Sequence, residues 1–248
     1  MSYKVIVAML TYNLEKYVAE AIESVLSQKT NFDFKILISD DCSTDSTKNI
    51  LSRYKNKYPD KITLVQNSEN MGHKAVFFKL LRMSKGDYVF TCDQDDVWKK
   101  DKIAVTLKGF QNEDTKTPVL VHTDLTIVNQ KLEITSPSMI KSQHIDVRKN
   151  KPNDMLVQNI VTGCTMAFNR QLADIIVEPE LLSVHDWWIA ATASIFGEIK
   201  FINKPTIKYR KHNNNACGPQ NMSSPAYVAK RATNKTKAKK MLDYGYVM

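Results

Sequence analysis

Three times in the first 98 residues a short apolar run gives way to a stretch whose apolar residues recur at helical spacing. Residues 4–10 (Lys-Val-Ile-Val-Ala-Met-Leu) show no in–out alternation, so they read as a strand buried on both faces, as in parallel sheets. Asn13 is a plausible N-cap, and Tyr17, Val18, Ala21, Ile22, Val25 and Leu26 follow with helical periodicity. Residues 34–39 form the next strand. Ser43, Thr44, Asp45, Ser46 and Thr47 are capping types ahead of a helix face at Ile50, Leu51 and Tyr54, and Pro59 helps to close that helix. A strand at 62–66, a turn at 67–72 and a helix at 73–83 complete the third unit. Strands alternating with helices imply right-handed crossovers and a largely parallel sheet, an α/β fold.

The fourth apolar run, 88–92, carries the chemistry. It ends in Asp93-Gln94-Asp95-Asp96, three carboxylates within four residues. Acids this close resist ionising together unless a cation lies between them. A divalent, oxygen-loving ion such as Mg²⁺ or Mn²⁺ meets that need; a solvated acidic loop or the first turn of a helix is the alternative. Parallel sheets bind ligands beyond the carboxyl ends of their strands. Here those ends carry Thr11-Tyr12-Asn13, Asp40-Asp41 and the Asp93–Asp96 cluster, a polar and acidic rim along one sheet edge.

Beyond residue 98 the pattern weakens. A helix is expected over 102–110, strands over 119–122 and near 125–128, a short strand over 165–168 and a helix over 172–177. A helix over 185–196 and two strands, 199–202 and 206–209 with Pro205 between them, follow. Residues 123–153 give little else. From 230 to 240 there are six cations and no acid (Lys230, Arg231, Lys235, Lys237, Lys239 and Lys240). That tail reads either as a basic helix lying on an anionic membrane surface or as a solvated, charged terminus.

The chain has 248 residues, 43% of them hydrophobic, which suffices for one large core, or for one domain with an appendage. Its formal charge of +9 favours anionic partners. Cys42, Cys92, Cys164 and Cys217 form no C-x-x-C pair, which argues against zinc and for thiols in a reducing compartment. The opening Met-Ser-Tyr-Lys leads into a strand, not a signal peptide. No apolar segment of about 20 residues is present to span a bilayer. A cytoplasmic protein is expected.

Eight motifs in order resemble the family 2 glycosyltransferases. They are Val7-Ala8-Met9-Leu10-Thr11-Tyr12-Asn13, then Ile38-Ser39-Asp40-Asp41-Cys42-Ser43-Thr44-Asp45-Ser46-Thr47, the turn at 67–72, and Lys85-Gly86-Asp87-Tyr88. Next come Cys92-Asp93-Gln94-Asp95-Asp96-Val97-Trp98 trailed by Asp101-Lys102, and Gly163-Cys164-Thr165-Met166-Ala167-Phe168-Asn169-Arg170. His185-Asp186-Trp187-Trp188 and Tyr209-Arg210-Lys211-His212-Asn213-Asn214-Asn215 complete the set. D-Q-D-D-V-W, H-D-W-W and Y-R-x-H-x-x-N are most similar to bacterial rhamnosyltransferase-type members. Cys42 departs from the glycine or asparagine usual after Asp40-Asp41.

The resemblance implies a GT-A fold: a Rossmann-like, mostly parallel central sheet flanked by helices. A single transferase domain would span 1–220, with a nucleotide-sugar half at 1–98, a smaller acceptor half at 99–220, and the basic tail at 221–248. It implies an inverting transfer of a hexose or rhamnose from a uridine- or thymidine-diphosphate sugar to a glycan or lipid-linked oligosaccharide, in bacterial surface-polysaccharide synthesis at the inner membrane face. Mn²⁺ or Mg²⁺ would neutralise the departing diphosphate. Asp95 is the implied direct ligand and Asp93 touches ribose and metal waters. Asp96 is either a supporting residue or a helix cap, and His212 either a third ligand or a surface residue. Asp186 is the implied general base, with an N-cap role as the alternative. Tyr12 would stack on the pyrimidine and Asp41, with Asp40 beside it, would accept its ring N–H. Thr11, Asn13 and Gln94 would line the donor site, and Lys74 either offers it a cation or faces solvent. Trp187 and Trp188, about 100° apart on a helix, divide between the core and the acceptor cleft.

Other classes fit less well. A nucleic-acid binder accords with the charge, but the acidic rim would repel phosphates, so no nucleic-acid partner is expected. A nucleotidyltransferase would bring a glycine-rich loop after the first strand, and none occurs. An inactive scaffold of the same fold would fail to hydrolyse a nucleotide sugar.

Overall fold

The computed structural model describes residues 4–111, 116–180 and 184–212. In chain order these form β1 (Val5–Thr11), α1 (Val18–Leu26), β2 (Phe34–Asp40), α2 (Thr47–Lys57), β3 (Ile62–Gln66), α3 (His73–Met83), β4 (Tyr88–Cys92) and β5 (Val97–Trp98). Then follow α4 (Lys102–Leu107), β6 (Val119–Val128), β7 (Ile134–Ser136), α5 (Met139–Ser142), α6 (Pro152–Val157), β8 (Ala167–Asn169), α7 (Arg170–Ile175), α8 (His185–Phe196) and β9 (Glu198–Arg210). Three-residue 3₁₀ turns at Lys108–Phe110 and Gly163–Thr165 precede β6 and β8.

Among the described residues the strands make one sheet in the order β3-β2-β1-β4-β8-β6-β9-β5, with β7 added to β6. The first four are parallel, with Val5–Met9 facing Tyr88–Cys92 residue for residue. Both faces are buried, as the unbroken apolar runs require. Val5, Val7 and Met9 pack with Val18, Ile22 and Val25 of α1 on one face. Ile6 and Ala8 pack with Val76, Phe77 and Leu80 of α3 on the other. Each such buried aliphatic side chain contributes roughly 1.5–3 kcal/mol.

The second half differs from the parallel expectation. β8 runs antiparallel to both β4 and β6, β6 and β9 are parallel, and β5 is antiparallel to β9. Residues 119–122 and 125–128 are one ten-residue strand, β6, buried throughout. The polar residues that interrupt its pattern are satisfied inside. Thr123 Oγ1 meets Thr206 Oγ1 at 2.7 Å, and Asp124 accepts from Ser138 Oγ and from the Ile140 and Leu125 amides. Residues 199–202 and 206–209 are likewise one strand, β9. Its register against β6 shifts on both sides of the Asp124–Pro205 pair, so Pro205, which lacks an amide hydrogen, sits in a bulge.

Asn13 does not cap α1. It adopts the left-handed region (φ 46°), and its side-chain oxygen accepts instead from the Thr44 and Asp45 amides. An asparagine tolerates that conformation because its short amide can bond locally. Cys42 is half-buried and Cys92 and Cys164 are buried, all as thiols. No described helix is long and apolar enough to cross a membrane. Cys217, Asn213, Asn214, Asn215 and the basic tail at 221–248 lie outside the described residues.

Candidate functional site

The carboxyl ends of β1, β2 and β4 share one edge, and side chains there knit the loops together. Asp40 is fully buried and accepts from Thr11 Oγ1 at 3.2 Å and from the Ser43 amide and hydroxyl at 3.0 and 2.5 Å. Asp41 is 2% exposed and accepts from Asn67 Nδ2 at 3.1 Å and from the Met71 and Gly72 amides at 2.8 and 2.9 Å. It thereby shapes the turn at 67–72, which needs the positive φ of Gly72 (81°). Tyr12 is 40% exposed at the rim. Gln94 clips its backbone: Oε1 accepts from Tyr12 N at 2.8 Å and Nε2 donates to Tyr12 O at 3.1 Å. An open cavity of about 300 Å³ lies beside this loop, among Asn13, Lys16, Tyr17, Asp45, Gln130 and His212.

The acidic cluster sits at the tip of β4. Burial, then the charges of Asp95 and Asp186, push Asp93 up to about 7. Burial, then Asp95 and Asp93, hold Asp96 well above the usual carboxylate range. Asp96 is not a helix cap: its Oδ1 accepts from Arg210 N at 3.0 Å, because β9 closes against the loop before β5. Its Oδ2 is buried without a hydrogen-bond partner. Asp95 Oδ2 lies 2.8 Å from His212 Nε2, whose ring stacks on Tyr17 at 4.9 Å. So Asp95 is bonded to His212, while Asp93 lies within electrostatic reach of Asp95.

A divalent cation fits this donor set. The carboxylates repel one another, and hard oxygen ligands with one imidazole suit Mn²⁺ or Mg²⁺. Among the described residues, the three ligand atoms that lie within 4.8 Å of one another belong to Asp93, Asp96 and Cys164, not to Asp93, Asp95 and His212. Cys164 is the odd member, since burial pushes its thiol up and a protonated thiol is a poor ligand for a hard ion.

Asp186 is the second residue of α8, within electrostatic reach of Asp93. It is not the N-cap, which is Val184. Its Oδ1 accepts from Asn159 Nδ2 at 3.2 Å and its Oδ2 from Gly163 N at 3.1 Å. Burial nonetheless raises it to about 6, against the backbone bonds that favour the anion. Gly163 lies close against His185 and Asp186: an added Cβ would stand a tight 3.2 Å from His185 Nε2 and in ordinary contact with Asp186 Cβ at 3.5 Å. Thr91 Oγ1 donates to the Gly163 carbonyl, so the turn that holds Asp186 hangs from β4, two residues before Asp93. Lys102 is fully buried, with its ammonium donating to the Thr165 carbonyl at 3.3 Å and lying over Trp98 at 4.8 Å.

The remaining expected residues are placed as follows. Trp187 and Trp188 are half-buried, and their indole N–H groups donate to the Met155 carbonyl at 2.5 Å and the Val177 carbonyl at 2.7 Å. Lys74 Nζ donates to the Pro179 and Glu180 carbonyls, tying α3 to the segment before α8. His185 stacks on Phe77 at 4.0 Å and lies 4.8 Å from His73.

Sequence reasoning passed over Arg210, which is 2% exposed and organises the rear of the site. Its guanidinium donates to the Asp95 carbonyl at 3.0 Å, the Gln130 carbonyl at 2.7 Å and the Glu20 carboxylate, and lies 4.7 Å from the Tyr17 ring. The signal was its place between Tyr209 and His212 in a strand otherwise read for apolar spacing. Asn159, which orients Asp186, carried no signal in a weakly patterned stretch.

A parallel half-sheet with acids at its carboxyl edge, continued by a mixed half that closes over them, defines the GT-A fold. Two solved structures share it: TarS of S. aureus with UDP-GlcNAc (TM-score 0.62, 22% identity, 89% of this chain and 61% of that one), and the mannosyltransferase PcManGT from Pyrobaculum calidifontis with GDP-Man and Mn²⁺ (TM-score 0.64, 19% identity, 87% and 59%). Residues 6–176 match the model of glycosyl transferase family 2, and the chain belongs to that family. A dTDP-rhamnosyl transferase of Shigella flexneri, RfbG, is 28% identical over 223 residues, 85% of this chain and 73% of its own length. The chain spans 58% of the length of an uncharacterized Mycobacterium tuberculosis relative that it matches at 24% identity over 208 residues.

Proposed function

We propose that the protein is a metal-dependent, inverting glycosyltransferase that moves a sugar from a nucleotide-diphosphate donor to an acceptor hydroxyl in bacterial surface-polysaccharide synthesis. One observation carries the reading: a half-buried carboxylate raised by desolvation to about 6, Asp186, lies within electrostatic reach of Asp93 at the tip of β4. A general base works best with a pKa near the operating pH. Near pH 7 a group of pKa about 6 is mostly ionised, yet far more basic than an ordinary aspartate.

In this reading Asp186 Oδ takes the acceptor proton as the hydroxyl oxygen attacks the anomeric carbon from the face opposite the diphosphate. The hydrogen bonds from Asn159 and Gly163 hold the carboxylate in line. Asp95, Asp93 and His212 would hold Mn²⁺ or Mg²⁺, whose charge offsets that of the leaving diphosphate. Tyr12 stacks on the base, and Asp41 accepts from the pyrimidine ring N–H. Thr11, Asn13, Asp40 and Gln94 fix the loops that carry them. Trp187 and Trp188 shape the acceptor side by pinning the segments at Met155 and Val177.

The donor is a thymidine-diphosphate rhamnose or a uridine-diphosphate hexose. RfbG supports the first and the UDP-GlcNAc bound to TarS the second. The acceptor is a glycan or lipid-linked oligosaccharide at the inner face of the cell membrane. A thermal-shift panel of nucleotide sugars with and without Mn²⁺, followed by nucleotide release from the best binder, tests the reading. Stabilisation by one donor only when Mn²⁺ is present is the expected result; indifference to every donor and to the ion refutes it.

A further inference from the structure

Beside Asp186 the surface becomes apolar. Leu156 and Val157, at the end of α6, are 76% and 82% exposed, Val177 is 66% exposed, and Val184 is 39% exposed. They come from three segments, yet adjacent indoles gather them at the first turn of α8. Trp187 holds the carbonyl of Met155, next to Leu156, and Trp188 holds the carbonyl of Val177 itself. Asn159, two residues beyond Val157, bonds to Asp186. Single exposed aliphatics are ordinary, but a group gathered at the mouth of a site marks an interaction surface.

Cations flank it. Arg148, Lys149 and Lys151 are exposed just before α6, a six-residue helix about 9 Å long. Four nearby acids are engaged, and exposed Glu180 stands beyond them. Asp146 pairs with Arg148 at 2.8 Å, Asp174 with Arg170 at 2.9 Å and Glu178 with Arg82 at 3.3 Å, while Asp154 accepts from the Lys151 amide at 3.2 Å. From 141 to 157 four cations stand against two acids. Leucine and valine offer a sugar no hydrogen bond, so a bare glycan would lose hydration there without compensation. Exposed aliphatics rimmed by cations match a headgroup layer, where apolar insertion and attraction to anionic phosphates act together.

We propose that the surface formed by α6, Val177 and the start of α8 rests on an anionic lipid bilayer. Leu156 and Val157 enter the headgroup layer, and Lys149 and Lys151 face its phosphates, Arg148 being held by Asp146. This selects the lipid-linked class of acceptor, delivered to Asp186 from the membrane plane; only that selection rests on the function proposed above.

Co-sedimentation of the full chain with vesicles tests the contact without any turnover. Wild type is expected to bind vesicles of equimolar phosphatidylcholine and phosphatidylglycerol more tightly than phosphatidylcholine alone. Changing Lys149 and Lys151 to Gln should weaken binding roughly fivefold per cation. Leu156→Asp with Val157→Asp should reduce partitioning at least tenfold, and Leu156→Ala with Val157→Ala by less, with unfolding temperatures unchanged because both positions are exposed. A parallel variant with Lys235, Lys237, Lys239 and Lys240 changed to Gln should keep its sensitivity at 156 and 157. The proposal is overturned if wild type ignores both vesicles, if the Asp pair binds like wild type, or if the tail variant alone abolishes binding. It is equally overturned if sedimentation shows a dimer that the Asp pair dissociates, since the face would then join two copies. Vesicle binding without sugar transfer would sink the function above and leave the surface standing.

Discussion

Replacing Asp186 by Asn should slow the enzyme and flatten the pH dependence of its stability. The substitution keeps the shape and removes the proton acceptor, but the new Nδ2 must face either Asn159 Nδ2 or the Gly163 amide, and that lost bond costs about 1–3 kcal/mol. General-base catalysis contributes about 10²–10⁴-fold, so turnover should fall by roughly that factor, about 3–5 kcal/mol of activation free energy. The stability effect follows from linkage. Asp186 titrates near 6 in the fold and near 3.8 when unfolded. Between those values the folded chain keeps a proton that the unfolded chain has lost, so stability falls as pH rises through that window. Two pH units at about 1.4 kcal/mol each give a deficit near 3 kcal/mol at pH 7 that an uncharged Asn does not carry. For a chain of this size that is on the order of 6–12 °C in Tm. That difference should fade as pH drops below about 6 and vanish only below about 3.8, where the wild-type carboxyl is protonated in both states. Nucleotide release measured from pH 5 to 8 should rise in wild type through about pH 6 and stay flat in the variant. Equal turnover, or an unfolding temperature that does not depend on pH differently in the two proteins, would refute both the assignment and the electrostatics behind it.

Asp95→Ala should abolish the extra thermal stabilisation that Mn²⁺ confers with donor, leaving the apo unfolding temperature within a few degrees of wild type. Gly163→Ala places a methyl 3.2 Å from His185 Nε2 and 3.5 Å from Asp186 Cβ; nucleotide release should drop at least tenfold while donor binding, read by calorimetry, holds. Arg210→Met leaves the Asp95 and Gln130 carbonyls and Glu20 without their donor. It should cost about 1–3 kcal/mol in denaturant unfolding, since Glu20 is half-exposed and the buried loss is that of the two carbonyls' donor, and weaken Mn²⁺ binding even when the protein is folded.

Much of the first half was legible because a single force acts there. β3, α3 and β4 begin and end where apolar spacing and turn residues put them, and α8 does too. The acid-bearing edge followed from strand direction alone. The second half hides its order in exceptions. Thr123 and Asp124 look like a strand break, but their partners, Thr206 and Ser138, are 83 and 14 residues away. Pro205 looks like a terminator, but a bulge accommodates it. Asn13 resembles a cap by type, yet its partners lie in the following unit. Arg210 was invisible as an organiser because a buried cation reveals itself only through what surrounds it, and here the surroundings are Glu20, Asp95 and Gln130.

That last arrangement sets a schedule for synthesis. Arg210 and His212 emerge some two hundred residues after Tyr17 and Glu20, and over a hundred after Asp95, yet they hold all three. A nascent chain can stack β1 to β4 early, because those contacts are comparatively local. It carries the acids without their keeper until β9 arrives, so a ribosome-bound product stopped short of that strand would fold in part and leave Asp95 without Arg210 and His212.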